Sequence, residues 1–228
     1  MKLSEEVCVI VQARLSSTRC PGKMVRPFAN STLMDVLLKK LEKSNIPNKN
    51  IYLAVHEPEL LSIGKKYPFN IFKRSKKSAM SEGHPISEVF EWWDKIPFKN
   101  VVMINACCPF LKVETIERFF SDYLHLKEER NGLFAVIKKN NYFWSPDGKI
   151  LTEVGSSMNT KEASFVYEAA HVLYAGLLQD IGNNRWMGDL TKQGDVIFWE
   201  IDERECLDID HEWQFEMCNT LYQGGFHQ

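Results

Sequence analysis

No stretch of this sequence approaches the ~18 consecutive apolar residues that a membrane-spanning helix needs, so no membrane partner is expected. The six cysteines, Cys8, Cys20, Cys107, Cys108, Cys206 and Cys218, include no C-x-x-C pair, which removes zinc ribbons and thioredoxin-type motifs. Basic charge is not in excess either. The 28 Lys and Arg are set against 30 Asp and Glu, for a formal net charge of -2. A general nucleic-acid binder shows a basic face or a pI above about 9, so no nucleic-acid partner is expected. The apolar stretch in the opening MKLSEEVCVIVQA is short and no small-residue cleavage site follows it. A secretory signal is therefore not expected, and the chain reads as cytoplasmic with reduced thiols. Internal repeats, low-complexity segments and linkers are also missing, which leaves residues 1–228 as a single domain. Disorder is excluded by what is present: 44% hydrophobic residues, including 14 Phe, 7 Tyr and 6 Trp.

The order of patterns is that of an α/β protein. Val7 to Ala13 is a continuous apolar run, as suits a parallel strand buried on both faces. Ile51 to Val55, Asn70 to Lys73 and Val101 to Asn105 read as further strands. Thr32 to Lys43, Glu57 to Lys66, Ser87 to Lys95 and Val113 to Leu126 carry helical periodicity. This alternation predicts a Rossmann-like, mostly parallel sheet flanked by helices. The second half differs. Leu133 to Ile137, Tyr142 to Trp144 and Ile150 to Thr152 look like strands around a Pro-Asp-Gly turn. Val196 to Ile201 reads as a strand and Asp210 to Tyr222 as a closing helix. Residues 138–190 are expected to form a small β-rich insertion serving substrate binding or dimerisation. Phe90, Trp92, Trp93 and Trp213 recur at helical spacing and read as core.

The most informative absence is local. Between Val7 and Met34 there is no Asp or Glu, where the average acid content would place about four. The same window holds Arg14, Arg19, Lys23 and Arg26, with Ser16, Ser17 and Thr18 among them. It follows the first strand, and open α/β sheets bind ligands at the carboxyl ends of their strands. A loop of small residues there can aim backbone N–H groups at a phosphate while the cations neutralise it. The other reading is a solvated basic loop. The GxxxxGK[ST] order of a P-loop ATPase is not present.

A second constellation lies near the other end. Asp208 and Asp210 are separated by one residue, so on extended chain both carboxylates face one side while Ile209 faces the other. Paired hard oxygens suit Mg²⁺, which takes one or two carboxylates plus phosphate oxygens and water. At about 4 Å the two charges repel by roughly 4 kcal/mol at an effective dielectric near 20, which favours a cation between them. Alternatively, Asp210 N-caps the last helix and Asp208 is solvated. A D-x-D pair also occurs in sugar-nucleotide-dependent glycosyltransferases, which stay open as an alternative beside a non-catalytic nucleotide-binding protein.

Gln12-Ala-Arg-Leu-Ser-Ser-Thr-Arg-Cys-Pro-Gly-Lys23 resembles the signature loop of the cytidylyltransferases that make CMP-activated acidic sugars, among them the acylneuraminate and spore-coat-type enzymes. Val101 to Phe110 is similar to their central strand and its Pro-containing turn, and Phe134 to Trp144 with Asp147-Gly148 and Leu207 to Phe215 to the acylneuraminate branch. The resemblance implies a nucleotide-diphospho-sugar transferase type of fold, CTP and an acidic sugar as substrates, Mg²⁺ on Asp208 and Asp210, and a homodimer. It implies nucleotide contacts from Ala13, Arg14, Ser16, Ser17, Arg19, Lys23, Arg74 and Ser81, with Arg14 and Lys23 joining the acid pair in catalysis. Asn105, Tyr167 and His171 fall at positions implied to line the sugar site, and Lys161 is a candidate carboxylate partner. Cys107 stands where the related keto-deoxyoctulosonate and spore-coat-type enzymes often carry an Asp, which leaves the metal to the C-terminal pair and shifts weight to the acylneuraminate branch.

Overall fold

The computed structural model describes residues 2–80, 83–127, 132–153, 155 and 159–226. At its centre Val7–Gln12 (β1) is almost wholly buried. Val7, Val9 and Val11 enter one core and Cys8 and Ile10 the other, as the two-residue period of a strand dictates. β1 runs parallel to Ile51–Val55 (β4) on one side and to Asn100–Ile104 (β6) on the other, with Val9 opposite both Ile51 and Val102. Asn70–Lys73 (β5) continues the parallel set beyond β4. Leu33–Lys43 (α1), Pro58–Gly64 (α2) and Val113–His125 (α5) are the crossover helices of this half. Thr32 starts α1 by accepting a hydrogen bond from the Asp35 amide at 3.1 Å.

The other half of the sheet holds Gly132–Asn140 (β7), Phe165–Leu177 (β8) and Val196–Glu200 (β9). The order across the sheet is β5-β4-β1-β6-β8-β7-β9. β8 lies antiparallel to both β6 and β7, whereas β9 is parallel to β7. The fold is therefore the expected mostly parallel, helix-flanked sheet. Of residues 138–190, Lys138 to Asn140 pair with Phe165 to Tyr167 in a two-stranded ribbon. The second half of β8 lies in the main sheet against β6, and Leu178–Gly182 (α6) follows it. Short elements complete the chain: Pro27–Phe28 (β2) pairs with Ser31–Thr32 (β3), and Lys76–Met80 (α3), Ile86–Val89 (α4) and Glu212–Gln223 (α7) are helical.

Several sequence expectations are corrected. The helix expected over Ser87 to Lys95 is confined to Ile86–Val89. The chain then turns so that Trp92, fully buried, can donate its indole N–H to Gln12 Oε1 at 2.7 Å. Tyr142 to Trp144 and Ile150 to Thr152 form a turn with one bridge, Trp144 to Ile150, rather than strands. Trp213 is exposed rather than core. The six cysteines are free thiols; burial pushes the Cys107 thiol up to about 11 and that of Cys206 up to about 12.

Connections from β1 leave toward α1 and β4 on one side, while β6 lies on the other. The carboxyl end of β1 is thus a switch point of the sheet, where a crevice opens. Residues 13–26 fill one side of that crevice.

Candidate active site

The loop after β1 is tied down at several points. The Ala13 amide still donates to Ala54 O at 3.2 Å. The Leu15 amide donates to Glu57 Oε1 at 2.8 Å, Ser16 Oγ to Ala79 O at 3.3 Å and Arg14 Nη1 to Met80 O at 2.7 Å. Gly22 has φ 65°, a left-handed conformation that glycine adopts without strain. Its carbonyl accepts from the Val25 and Arg26 amides, and the tight turn this makes directs Lys23 inward.

Opposite the loop, residues 207–210 run as a strap. Ile209 is fully buried and its amide donates to Cys107 O at 3.0 Å, so Asp208 and Asp210 flank an anchored residue. Asp210 accepts Arg19 Nη2 at 2.9 Å and lies 3.5 Å from Lys23 Nζ. Lys23 is 8% exposed and also donates to Ile209 O. Burial opposes its charge, but the Cys107 sulfur, Asp208 and Asp210 outweigh that cost and hold the ammonium above its ordinary range. Two segments nearly 190 residues apart are thereby joined by cation–carboxylate pairs.

The acid pair is not spent on capping. α7 begins at Glu212, two residues later than expected, and Gln214 Oε1 accepts the Asp210 and His211 amides at 2.8 and 2.7 Å. Asp210's carboxylate is directed to the loop instead, which corrects the alternative in which it served only as the N-cap. Asp208 Oδ2 accepts Asn105 Nδ2 at 3.2 Å. Its Oδ1 is buried with no partner among the described residues. Burial, and then the neighbouring Asp210, push the Asp208 carboxyl above the usual range, while Lys23, Asn105 and His171 pull the other way.

An orphaned carboxylate oxygen beside a second carboxylate is the donor set that a hard divalent cation satisfies. Asp208 and Asp210 therefore fit Mg²⁺. Among the described residues no three His, Cys, Asp or Glu side chains converge, so an all-protein zinc cage is not formed there.

Two cavities meet at this point. The first, about 400 Å³, is lined by Ala13, Arg14, Ser17, Arg19, Lys23 and Arg74 together with Asp210. The second, about 330 Å³, is lined by His171 and Asp208, again with Asp210. Asn105 sits between them. It accepts the Cys107 amide at 2.9 Å and donates to His171 O at 2.8 Å as well as to Asp208. His171 can present its carbonyl there because β8 bulges between Ala169 and Tyr174, with His171 at φ 53°. Its Nδ1 lies 2.5 Å from the Tyr174 hydroxyl.

The remaining candidates are placed differently. Arg74 is 2% exposed, and its guanidinium donates to Ser78 Oγ at 2.9 Å, to Ser78 O, and to Ala13 O and Val89 O at 3.3 Å. It braces the rear of the first cavity, and burial lowers it to about 10. Ser16, Tyr167 and Lys161 line neither cavity. Tyr167 is on the ribbon, its hydroxyl on Glu200 Oε1 at 2.6 Å and its ring against Phe165 and Phe198. Ser81 lies outside the described residues. Sequence reasoning missed Gln12, Phe90 and Met103 in the first cavity and Lys139, Glu168 and Gln214 in the second. It also missed the Arg26–Glu212 pair, 2.5 Å, which repeats the link between loop and α7.

Comparison with known proteins agrees with this architecture. The cytidylyltransferase family profile matches residues 8–176, ending before the acid pair. The spore coat polysaccharide biosynthesis protein SpsF of Bacillus subtilis is 30% identical over 60% of this chain and 60% of its own length. The 3-deoxy-manno-octulosonate cytidylyltransferase of Rickettsia bellii is 26% identical over 54% of this chain and 50% of its own. The chain thus spans half to three-fifths of the curated relatives it matches. The CMP:2-keto-3-deoxy-manno-octonic acid synthetase solved with CTP superposes with a TM-score of 0.69 at 9% identity, over 96% of this chain and 99% of that one. The 4-diphosphocytidyl-2C-methyl-D-erythritol synthase of Anaerococcus prevotii gives 0.67 at 14% identity, over 95% and 96%. The fold is shared with these nucleotidyltransferases, and by the match over most of its length this chain belongs to the cytidylyltransferase family.

Proposed function

We propose that this chain is a Mg²⁺-dependent cytidylyltransferase that moves CMP from CTP to an acidic sugar of the 2-keto-3-deoxy or nonulosonate type. The observation that carries the reading is the meeting of Arg19 and Lys23 with Asp210 in one crevice at the carboxyl end of β1. A polyphosphate gripped there lies beside the acid pair. Asp208 and Asp210 would hold the ion, which supplies charge neutralisation at the α-phosphate. Arg14, Arg19 and Lys23 neutralise the triphosphate, and Ser17 and Ala13 line its path. The second cavity takes the acceptor, with His171 as the group able to meet a carboxylate; Lys139 beside it is already paired with Glu203 and Glu168.

In the reaction an acceptor hydroxyl oxygen attacks the α-phosphorus, the bond from that phosphorus to the bridging oxygen breaks, and pyrophosphate leaves with the electron pair. The hydroxyl proton passes to solvent or a nearby base. Such a transfer needs positioning and charge stabilisation rather than a protein nucleophile. Similarity to the 3-deoxy-manno-octulosonate cytidylyltransferase of Rickettsia bellii supports an octulosonate-like acceptor. Exposed Phe165, Tyr167 and Phe198 on and beside the ribbon support a homodimer.

The test is a screen of CTP with a panel of acidic sugars, octulosonate and neuraminate among them, read by pyrophosphate release. Release with at least one sugar, abolished by chelator, is expected. Silence across the panel rejects the acceptor class, and turnover in excess chelator rejects the ion.

A further inference from the structure

A cavity of about 890 Å³ lies at the C-terminal end of α7, away from the acid pair that precedes the helix. It is walled by the β2–β3 hairpin, α1, the start of α5 and the end of α7. Lys39, Lys40, Lys43 and Lys112 line it, against the single carboxylate of Glu114. None of the four lysines makes an ion pair among the described residues. Lys39 donates to Ser31 Oγ at 3.2 Å and Lys40 to Pro109 O, its ammonium 5.8 Å from the centre of the Tyr222 ring.

This concentration of like charge is costly. Lys39 and Lys43 are i,i+4 neighbours on one helix, a spacing at which like charges repel. Glu42 of the same helix acts on Tyr67 instead. Lys40 is half-buried, and burial lowers its ammonium to about 8 although Glu205 beneath it acts the other way. A concave wall of one sign focuses its field into the cavity, and ammonium groups serve phosphate as point charges.

We infer that this groove is a second anion site, shaped for a diphosphate or triphosphate group and separate from the crevice at β1. Tyr222 and Asn30 give a phosphate-bearing ligand an aromatic and an amide surface on the same wall. The shared chemistry is the polyphosphate, free or carried by a nucleoside.

Equilibrium dialysis of the full chain with labelled inorganic pyrophosphate tests it. Two equivalents per chain are expected in the parent. The triple variant Lys40→Gln, Lys43→Gln, Lys112→Gln should keep one, with an unchanged circular dichroism spectrum. The double variant Lys43→Gln, Lys112→Gln, confined to exposed side chains, should weaken the second equivalent at least tenfold and guards against a folding defect. A triple and a double variant that both bind as the parent does overturn the inference, as does a single equivalent in the parent that Lys23→Ala removes. Displacement of the groove-bound pyrophosphate by CTP and ATP, weakened by Tyr222→Ala, assigns the nucleoside-borne source; indifference to Tyr222 assigns the free ion.

Discussion

Two clusters of cations lie on this molecule, and they are built in opposite ways. In the crevice at β1 each cation is held by an acceptor of the chain itself: Arg14 on Met80 O, Arg19 on Asp210, Lys23 on Ile209 O and Arg74 on Ala13, Ser78 and Val89. In the groove beyond α7 only Lys39 and Lys40 are held, by Ser31 Oγ and Pro109 O; Lys43 and Lys112 have no side-chain hydrogen bond or ion pair among the described residues, and Glu114 is the one carboxylate among the residues lining the groove. The first arrangement fixes charge before a ligand arrives, which is what stabilising a transition state demands. The second leaves charge on flexible stems, which favours capture over precise placement. Removing a cation should therefore harm the first region and relieve the second.

The strongest blow to that contrast falls on Lys23. Lys23→Ala should lower turnover by about a hundredfold or more, the scale of a lost electrostatic stabiliser. Pyrophosphate release at the parent rate would remove Lys23 from the chemistry. Arg74→Ala comes next and acts on stability. It removes the guanidinium donor from the Ala13 and Ser78 carbonyls and from Ser78 Oγ at a position that is 2% exposed, while Val89 O keeps Ser78 Oγ, and a loss of about 3 kcal/mol is expected in denaturant unfolding. An unchanged midpoint would show that the brace is dispensable.

Asp208→Asn sharpens the comparison from the acid side. Burial and Asp210 raise the Asp208 carboxyl in the fold, so the native state binds its proton more tightly than the unfolded chain does. The associated stability is complete below the unfolded value of about 3.9 and is lost as pH rises through the folded value. In chelator the variant should consequently melt above the parent at neutral pH and alongside it in acid, while losing its dependence on the divalent ion. A variant that melts below the parent at pH 7 would reverse the sign. The smallest effect belongs to Lys43→Gln. Relief of i,i+4 repulsion should raise the unfolding free energy by a few tenths of a kcal/mol, and a fall would mean that the groove lysines are stabilised by partners of their own.

The two clusters also differ in how visible they are before folding. The crevice is legible because three of its cations, Arg14, Arg19 and Lys23, fall in one acid-free window directly after an apolar strand, and its acids are spaced i and i+2 on either side of Ile209. The groove draws on residues 28–43, 111–114 and 222–223, and no single window is unusual. The parallel half of the sheet was similarly plain from buried runs such as VCVIV. The reach of β8 was not, because its outer half is exposed, its inner half buried, and a bulge separates them. Trp92 shows the same limit. Its helical spacing is real, but one buried indole seeking Gln12 ended the helix.

α7 touches both regions. At its start Glu212 grips Arg26 and Gln214 holds the amide of Asp210; near its end Asn219 Oδ1 accepts the Ala29 amide at 2.7 Å and Tyr222 packs on Phe28. Twelve residues of helix form a strut of about 18 Å, too short to bend appreciably. A substitution at Glu212 or at Asn219 therefore loosens one tether of this strut and leaves the other in place.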